Sequence, residues 1–161
     1  MLIEMTIKGL MVDPLTNMPI VVLKDKDGER VLPIWVGVFE ANAIALQIEN
    51  VATPRPMTHD LLRNVIIDLE GAVDRVVVSD LKESTFFAII HLTVKGEHLF
   101  VDARPSDAIA LALRTRAPIL VDETVIENAK ALDFASESVD SERLQQWLES
   151  LDPDEMGKYK M

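Results

Sequence analysis

Apolar and polar positions along this chain follow two periods, and each change of period marks a boundary. Leu2–Val12, rich in Ile, Met, Val and Thr, reads as a strand. Asp13-Pro14 and Asn17-Met18-Pro19 bracket a turn, and Ile20–Leu23 is a short apolar run. Asp25-Lys26-Asp27-Gly28 is a strong hairpin signal, and Arg30–Val36 returns as a strand ending at Gly37. From Phe39 to Asn50 the period becomes helical, with Ala41, Ile44, Ala45 and Ile48 on one face. Thr53-Pro54-Arg55-Pro56 stops that helix as a stiff connector. Thr58 predicts the N-cap of a second helix, with Leu61, Leu62 and Val65 facing inward and Gly71 closing it. Val73–Leu81 and Phe86–Val94 are the clearest strands, and Lys95-Gly96-Glu97 turns into another at His98–Asp102. Pro105 opens a helix to about Arg116, Pro118–Val121 is a short strand, and Thr124–Ala131 is helical. Asp140–Leu151 is an amphipathic helix through Leu144, Trp147, Leu148 and Leu151, followed by a loose tail.

This order predicts an α+β class: a compact mixed α/β domain with antiparallel hairpins and packed helices. The expected division is a domain over 1–132 and an acidic C-terminal helix and tail over 133–161. A weak internal echo adds to the picture. Gly28-Glu29 and Gly96-Glu97 each begin a hairpin return, and each return leads into Ala-Ile-Ala-Leu, at 43–46 and 108–111. A duplicated strand-strand-helix unit explains this; so does the frequency of Ala and Leu in helices.

Hydrophobic residues make up 48%, enough for a full core, and the net charge is −11. Residues 1–121 hold 12 basic and 16 acidic side chains, while the last forty hold 4 and 11. Such a chain is no general polyanion binder, so any contact with DNA or RNA comes from a local site or a metal ion. Absence of Cys excludes disulfides, Cys-ligated zinc, iron–sulfur clusters and thiol catalysis. Glu4 and Lys8 interrupt the apolar start, and no apolar run approaches the roughly 20 residues that span a bilayer. The chain therefore reads as soluble and cytoplasmic, with no membrane partner. Dinucleotide, P-loop, nucleophile-elbow and His-Glu-x-x-His motifs are absent.

Three polar clusters remain. Asp102-Ala103-Arg104-Pro105-Ser106-Asp107 stands at a strand-to-helix junction, where backbone N–H groups and the helix dipole favour an anion. Arg104 can clamp phosphate oxygens, and Asp102 and Asp107 can hold a hard divalent cation. With Pro105 opening the helix, Asp107 at its third position serves equally as a simple cap, and Asp102 as a strand end. In Arg55-Pro56-Met57-Thr58-His59-Asp60, His59 suits a general base or metal ligand and Asp60 a second ligand; a plain helix start accounts for both as well. Glu40 opens the first helix, either as an ordinary acidic turn or, if the duplication is real, converging on the same cleft. His91, in an apolar strand, and His98, beside a turn, point less clearly to chemistry.

The run Leu32-Pro33-Ile34-Trp35-Val36-Gly37 with Glu40-Ala41 and Ala43-Ile44, the run Arg55–Leu61, and the run Asp102–Leu111 resemble, in this order and spacing, the bifunctional nuclease family of bacterial and plant domains. The resemblance covers roughly residues 1–125. It implies a mixed α/β domain that self-associates as a homodimer or higher homo-oligomer and cleaves DNA and RNA. It draws attention to the same clusters. The resulting expectation is a metal-assisted phosphodiesterase. Asp102, Asp107 and either Glu40 or Asp60 bind Mg²⁺ or Mn²⁺, Arg104 holds the phosphate, and His59 positions or deprotonates water. The alternative is a non-catalytic dimeric interaction or regulatory module, favoured by the lack of an extended basic or aromatic strip.

Overall fold

The computed structural model describes residues 1–27 and 30–135. The helix expected over Asp140–Leu151, the tail after it, and the Gly28-Glu29 turn lie outside the described residues. Among the described residues seven strands form one sheet: β1 (Leu2–Val12), β2 (Pro19–Asp25), β3 (Val31–Trp35), β4 (Gly71–Lys82), β5 (Thr85–Val94), β6 (Glu97–Ala103) and β7 (Ile119–Asp122). Four helices among the described residues accompany it: α1 (Val38–Ile48), α2 (Thr58–Asp68), α3 (Pro105–Thr115) and α4 (Glu123–Ala135). The α+β class expected from the order of elements is what forms.

The sheet runs β3-β2-β1-β7-β4-β5-β6, with only β4 and β7 parallel. Short polar turns favour this, because antiparallel neighbours need only a tight connection. Lys95 (φ 50°) and Gly96 (φ 83°) supply the two positive-φ residues of the β5–β6 turn. Buried Asp13 holds the first turn, accepting from the Leu15 N–H and the Thr16 hydroxyl, and it accepts from the Trp35 indole to tie β1 to β3.

The echo has a structural counterpart. Strands β1–β3 and β4–β6 are each an antiparallel meander, and each leads into a helix, α1 or α3. Strand β1 is antiparallel to β7 and β4 is parallel to it, so the meanders flank β7 in opposite senses. Aligned from their N-caps, Gly37 and Arg104, the helices match Glu40-Ala41 with Asp107-Ala108. That register is shifted by two residues from the Ala-Ile-Ala-Leu echo. It places an acidic side chain at the third position of both helices.

Helix α3 packs between α1 and α2 and over β4 and β5. Its Ala108, Ile109, Ala110, Leu111 and Ala112 are buried, as are Ala41, Ile44 and Ala45 of α1. With Val76, Val78, Ala88 and Ile90 they form the core. Alanines bring the helices close, so the two helix N-termini come to lie beside each other.

Helix α2 departs from expectation. Its N-cap is Met57 rather than Thr58, with the Asp60 carboxylate accepting from the Met57 N–H at 3.0 Å. Leu61, Leu62 and Val65, expected to face inward, are exposed, and His59 is the residue of α2 that is buried. No helix among the described residues is long and apolar enough to cross a membrane.

Candidate active site

A cleft of about 1080 Å³ opens between α2, the N-termini of α1 and α3, and strands β5 and β6. Its walls are mostly apolar, with Phe39, Leu61, Leu62, Val65, Leu92 and Val101, and its polar side carries Glu40, His59, Arg104 and Asp107. Such a combination, a greasy wall with few convergent polar groups, is typical of ligand sites.

Four of the six sequence-derived site residues meet here. The carboxylate of Asp107 is shared: Oδ1 lies 2.9 Å from His59 Nε2, and Oδ2 accepts from Arg104 Nε at 3.1 Å and Nη2 at 2.9 Å. The same Nη2 donates to Glu40 Oε1 at 2.8 Å. Asp107 and Glu40 raise the Arg104 pKa further by hydrogen bonding and charge. Asp107 is thus more than a helix cap, since its oxygens turn to partners on other segments. Arg104 Nη1 has no partner among the described residues, and its side chain is 67% exposed.

Asp60 and Asp102 do not join them. Successive residues of a helix point about 100° apart, so Asp60 turns away from its neighbour His59. Its Oδ1 accepts from Arg114 Nε at 2.7 Å. Burial pushes its carboxyl upward, but the Met57 N–H, the hydrogen bond and charge of Arg114, and the charge of Arg63 hold it below its ordinary value. Asp102 borders the cleft, yet on β6 it alternates with Val101 and Ala103 and pairs with Ile89, so its side chain belongs to the other face of the sheet. Among the described residues it forms no ion pair with Arg104. His91 and His98 lie on that other face too. His91 packs edge-on against Phe100 with ring centroids 5.0 Å apart, and His98 Nδ1 is 3.1 Å from the Thr93 hydroxyl.

Among the described residues no three His, Asp or Glu side chains are grouped to hold a metal ion. The guanidinium of Arg104 sits between Glu40 and Asp107, where it already supplies positive charge to both. A divalent cation does not fit these residues as they stand.

Two comparisons bear on identity. The sequence profile of the bifunctional nuclease domain matches residues 21–133. The chain belongs to the bifunctional nuclease domain family. A Mycobacterium tuberculosis protein described only as uncharacterized is 38% identical over 94% of this chain and 96% of its own length. Bifunctional nuclease 2 of Oryza sativa is 33% identical over 64% of this chain, and bifunctional nuclease 1 of Arabidopsis thaliana is 31% identical over 65%. Those plant matches span about a third of each plant protein, 33% and 34%.

In this family member, Gly37 gives Glu40 its seat. A Cβ at Gly37 would collide with the Glu40 carboxylate, the mobile end of a flexible side chain. Gly37→Ala is therefore expected to fold, at a cost of about 0.5–1 kcal/mol for the poorer cap, while Glu40 leaves Arg104. The Arg104 Nη2–H resonance should shift; an unchanged resonance would show that Glu40 keeps its contact. Sequence reasoning missed Arg114. Its side chain is 2% exposed, and it donates to the carbonyls of Ala110 and Ala43 at 2.9 and 3.0 Å as well as to Asp60. The available signal was its spacing: Asp107, Leu111 and Arg114 share one face of α3.

Proposed function

We propose that this domain hydrolyses phosphodiester bonds of DNA and RNA at the polar side of the cleft. The observation that carries this reading is the continuous hydrogen-bonded array of imidazole, carboxylate and guanidinium, His59–Asp107–Arg104, on a wall of an open cleft. The names of the plant relatives support it.

In this mechanism His59 donates its Nε2–H to Asp107, which holds the ring and leaves Nδ1 as the acceptor. Nδ1 takes a proton from a water molecule as the water oxygen bonds to phosphorus. The bond from phosphorus to the leaving sugar oxygen breaks, and that oxygen takes a proton from solvent. Arg104 offers Nη1 to the phosphate oxygens while Asp107 and Glu40 fix its plane. Water as nucleophile needs no 2′-hydroxyl, so the same groups serve DNA and RNA. Glu40 and Asp107 would be the carboxylates to hold Mg²⁺ or Mn²⁺ if Arg104 withdrew, but no step here depends on it.

The test is a cleavage assay on both nucleic acids with purified protein, with divalent ion and with chelator. Arg104→Ala is expected to lose about 10²–10³-fold, the effect of one preorganised donor. Asp102→Asn, altered on the opposite face, should lose less than tenfold. Wild-type rates in Arg104→Ala would sink the proposal.

One observation favours a second reading, a non-catalytic dimeric interaction or regulatory module. Phe39 is 87% exposed, and on the cleft side Leu61 and Val65 of α2 and Leu99 and Val101 of the edge strand β6 are exposed as well. Apolar residues of this kind mark association surfaces. A homodimer or higher homo-oligomer is compatible with both readings. Light scattering combined with the assay separates them: an oligomer that cuts neither nucleic acid is the module.

A further inference from the structure

A second concavity lies on the other side of the first turn of α2, where Asp60 faces. Its volume is about 420 Å³, and its polar lining includes Gln47, Asn50, Arg55, Arg63, Asn64 and Arg114. Among the described residues three arginines and one carboxylate, Asp60, line it, in a chain whose net charge is −11. Asp60 is committed to Arg114 through the 2.7 Å bond, and Arg114 further donates to two backbone carbonyls. Arg63 acts on that carboxylate through its charge alone, so neither Arg55 nor Arg63 has a carboxylate bonded to it among the described residues.

Both are held. Arg63 Nε and Nη2 donate to Asn64 Oδ1 at 3.3 and 3.1 Å, which fixes the guanidinium plane, and Nη1 has no partner among the described residues. Arg55 stands between Pro54 and Pro56, and the Thr53 hydroxyl donates to its carbonyl at 2.8 Å. Prolines on both sides restrict the backbone from which this arginine projects. Among the described residues the Arg55 side chain forms no ion pair.

Two guanidinium groups without an ion pair among the described residues, on a concave polar surface, select an oxyanion. We infer that the Arg55–Arg63 pocket binds a phosphate group, as a subsite beside the cleft. The choice of phosphate over carboxylate rests on the nuclease reading above, since His59 and Asp60 are adjacent and open onto the cleft and the pocket respectively. The phosphate belongs either to a nucleic-acid strand whose neighbouring phosphate is being cut or to a free phosphorylated compound. Arg55 and Arg63 are positioning residues in this scheme and take no part in bond breaking.

The test compares wild type with Arg55→Gln/Arg63→Gln. The probes are a single-stranded phosphorothioate oligonucleotide, which keeps the charge but resists cleavage, and inorganic pyrophosphate. Binding is read by fluorescence anisotropy for the first and calorimetry for the second. The double variant is expected to bind at least tenfold more weakly. For the oligonucleotide, the slope of log affinity against log salt should fall by about 0.7, the share of one phosphate contact on a single strand. A loss with either probe supports the subsite, and which probe suffers identifies the source of the phosphate. Equal binding by both proteins, or no binding of either probe by wild type, overturns it. Cleavage is scored separately: wild type that cuts neither DNA nor RNA removes the nuclease reading whatever the binding data say.

Discussion

His59→Ala is expected to lower phosphodiester cleavage by about 10²–10⁴-fold, the range for loss of a positioned general base. The imidazole is nearly enclosed, with a side chain 10% exposed, and its Nε2 is tied to Asp107 across 48 positions of sequence. Asp107→Asn probes the same arrangement more gently. An amide can orient toward His59 but no longer carries the charge that supports an imidazolium, so a loss intermediate between wild type and His59→Ala is expected. Stability separates this from a structural role. His59→Ala also removes a buried side chain, so thermal unfolding must be recorded beside the rate. A variant that stays folded at the assay temperature and still cuts at the wild-type rate would place the chemistry elsewhere.

The largest stability effect belongs to Asp60 and Arg114. Asp60→Asn keeps the shape of the side chain and removes the charge facing a guanidinium that is 2% exposed. Breaking a buried pair from one side costs about 3–5 kcal/mol, because the surviving charge is left uncompensated. At about 2–4 °C per kcal/mol for a chain of this size, the melting temperature should fall by on the order of 10 °C. Arg114→Met added to Asp60→Asn should restore much of the loss, since an apolar replacement removes the stranded charge. Failure of the second change to restore any stability would show that the carbonyl contacts to Ala43 and Ala110, rather than the ion pair, dominate.

The pH dependence has a definite sign. Burial alone would raise the Asp60 carboxyl, but the Met57 N–H and the two arginines depress it. A depressed carboxyl stabilises the fold above its unfolded value and loses that contribution as protons bind the folded state. Wild type should therefore lose this stability as the pH falls below about 4. Asp13 and Asp122, also held low, contribute to the same acid limb. Asp60→Asn should show a flatter limb; an unaltered one would count against the assignment.

Much of the fold was legible because the evidence for it is local. The strand-forming residues of Leu2–Val12 and Phe86–Val94, the turn at Lys95-Gly96 and the proline opening α3 each act within a few residues. The strand-to-helix junctions carrying Glu40, Arg104 and Asp107 were legible for the same reason. Two readings failed where a neighbour's side chain decides. Leu61, Leu62 and Val65 have the spacing of an inward face, but α3 receives His59 from α2 and leaves those three lining an open cleft. Asp60, grouped with His59 as a ligand, turns toward Arg114 instead.

Periodicity, prolines and turn residues by themselves determined the elements, the α+β class and the three polar segments from which a site had to come. Only the tertiary structure decided which atoms meet, because every contact that builds the two polar sites from separate segments spans 48, 54, 64 or 71 positions. Those contacts depend on how α1, α2 and α3 pack over the sheet. Local pattern records which face of a helix is apolar; it does not record which charged group of another helix will stand opposite a given carboxylate.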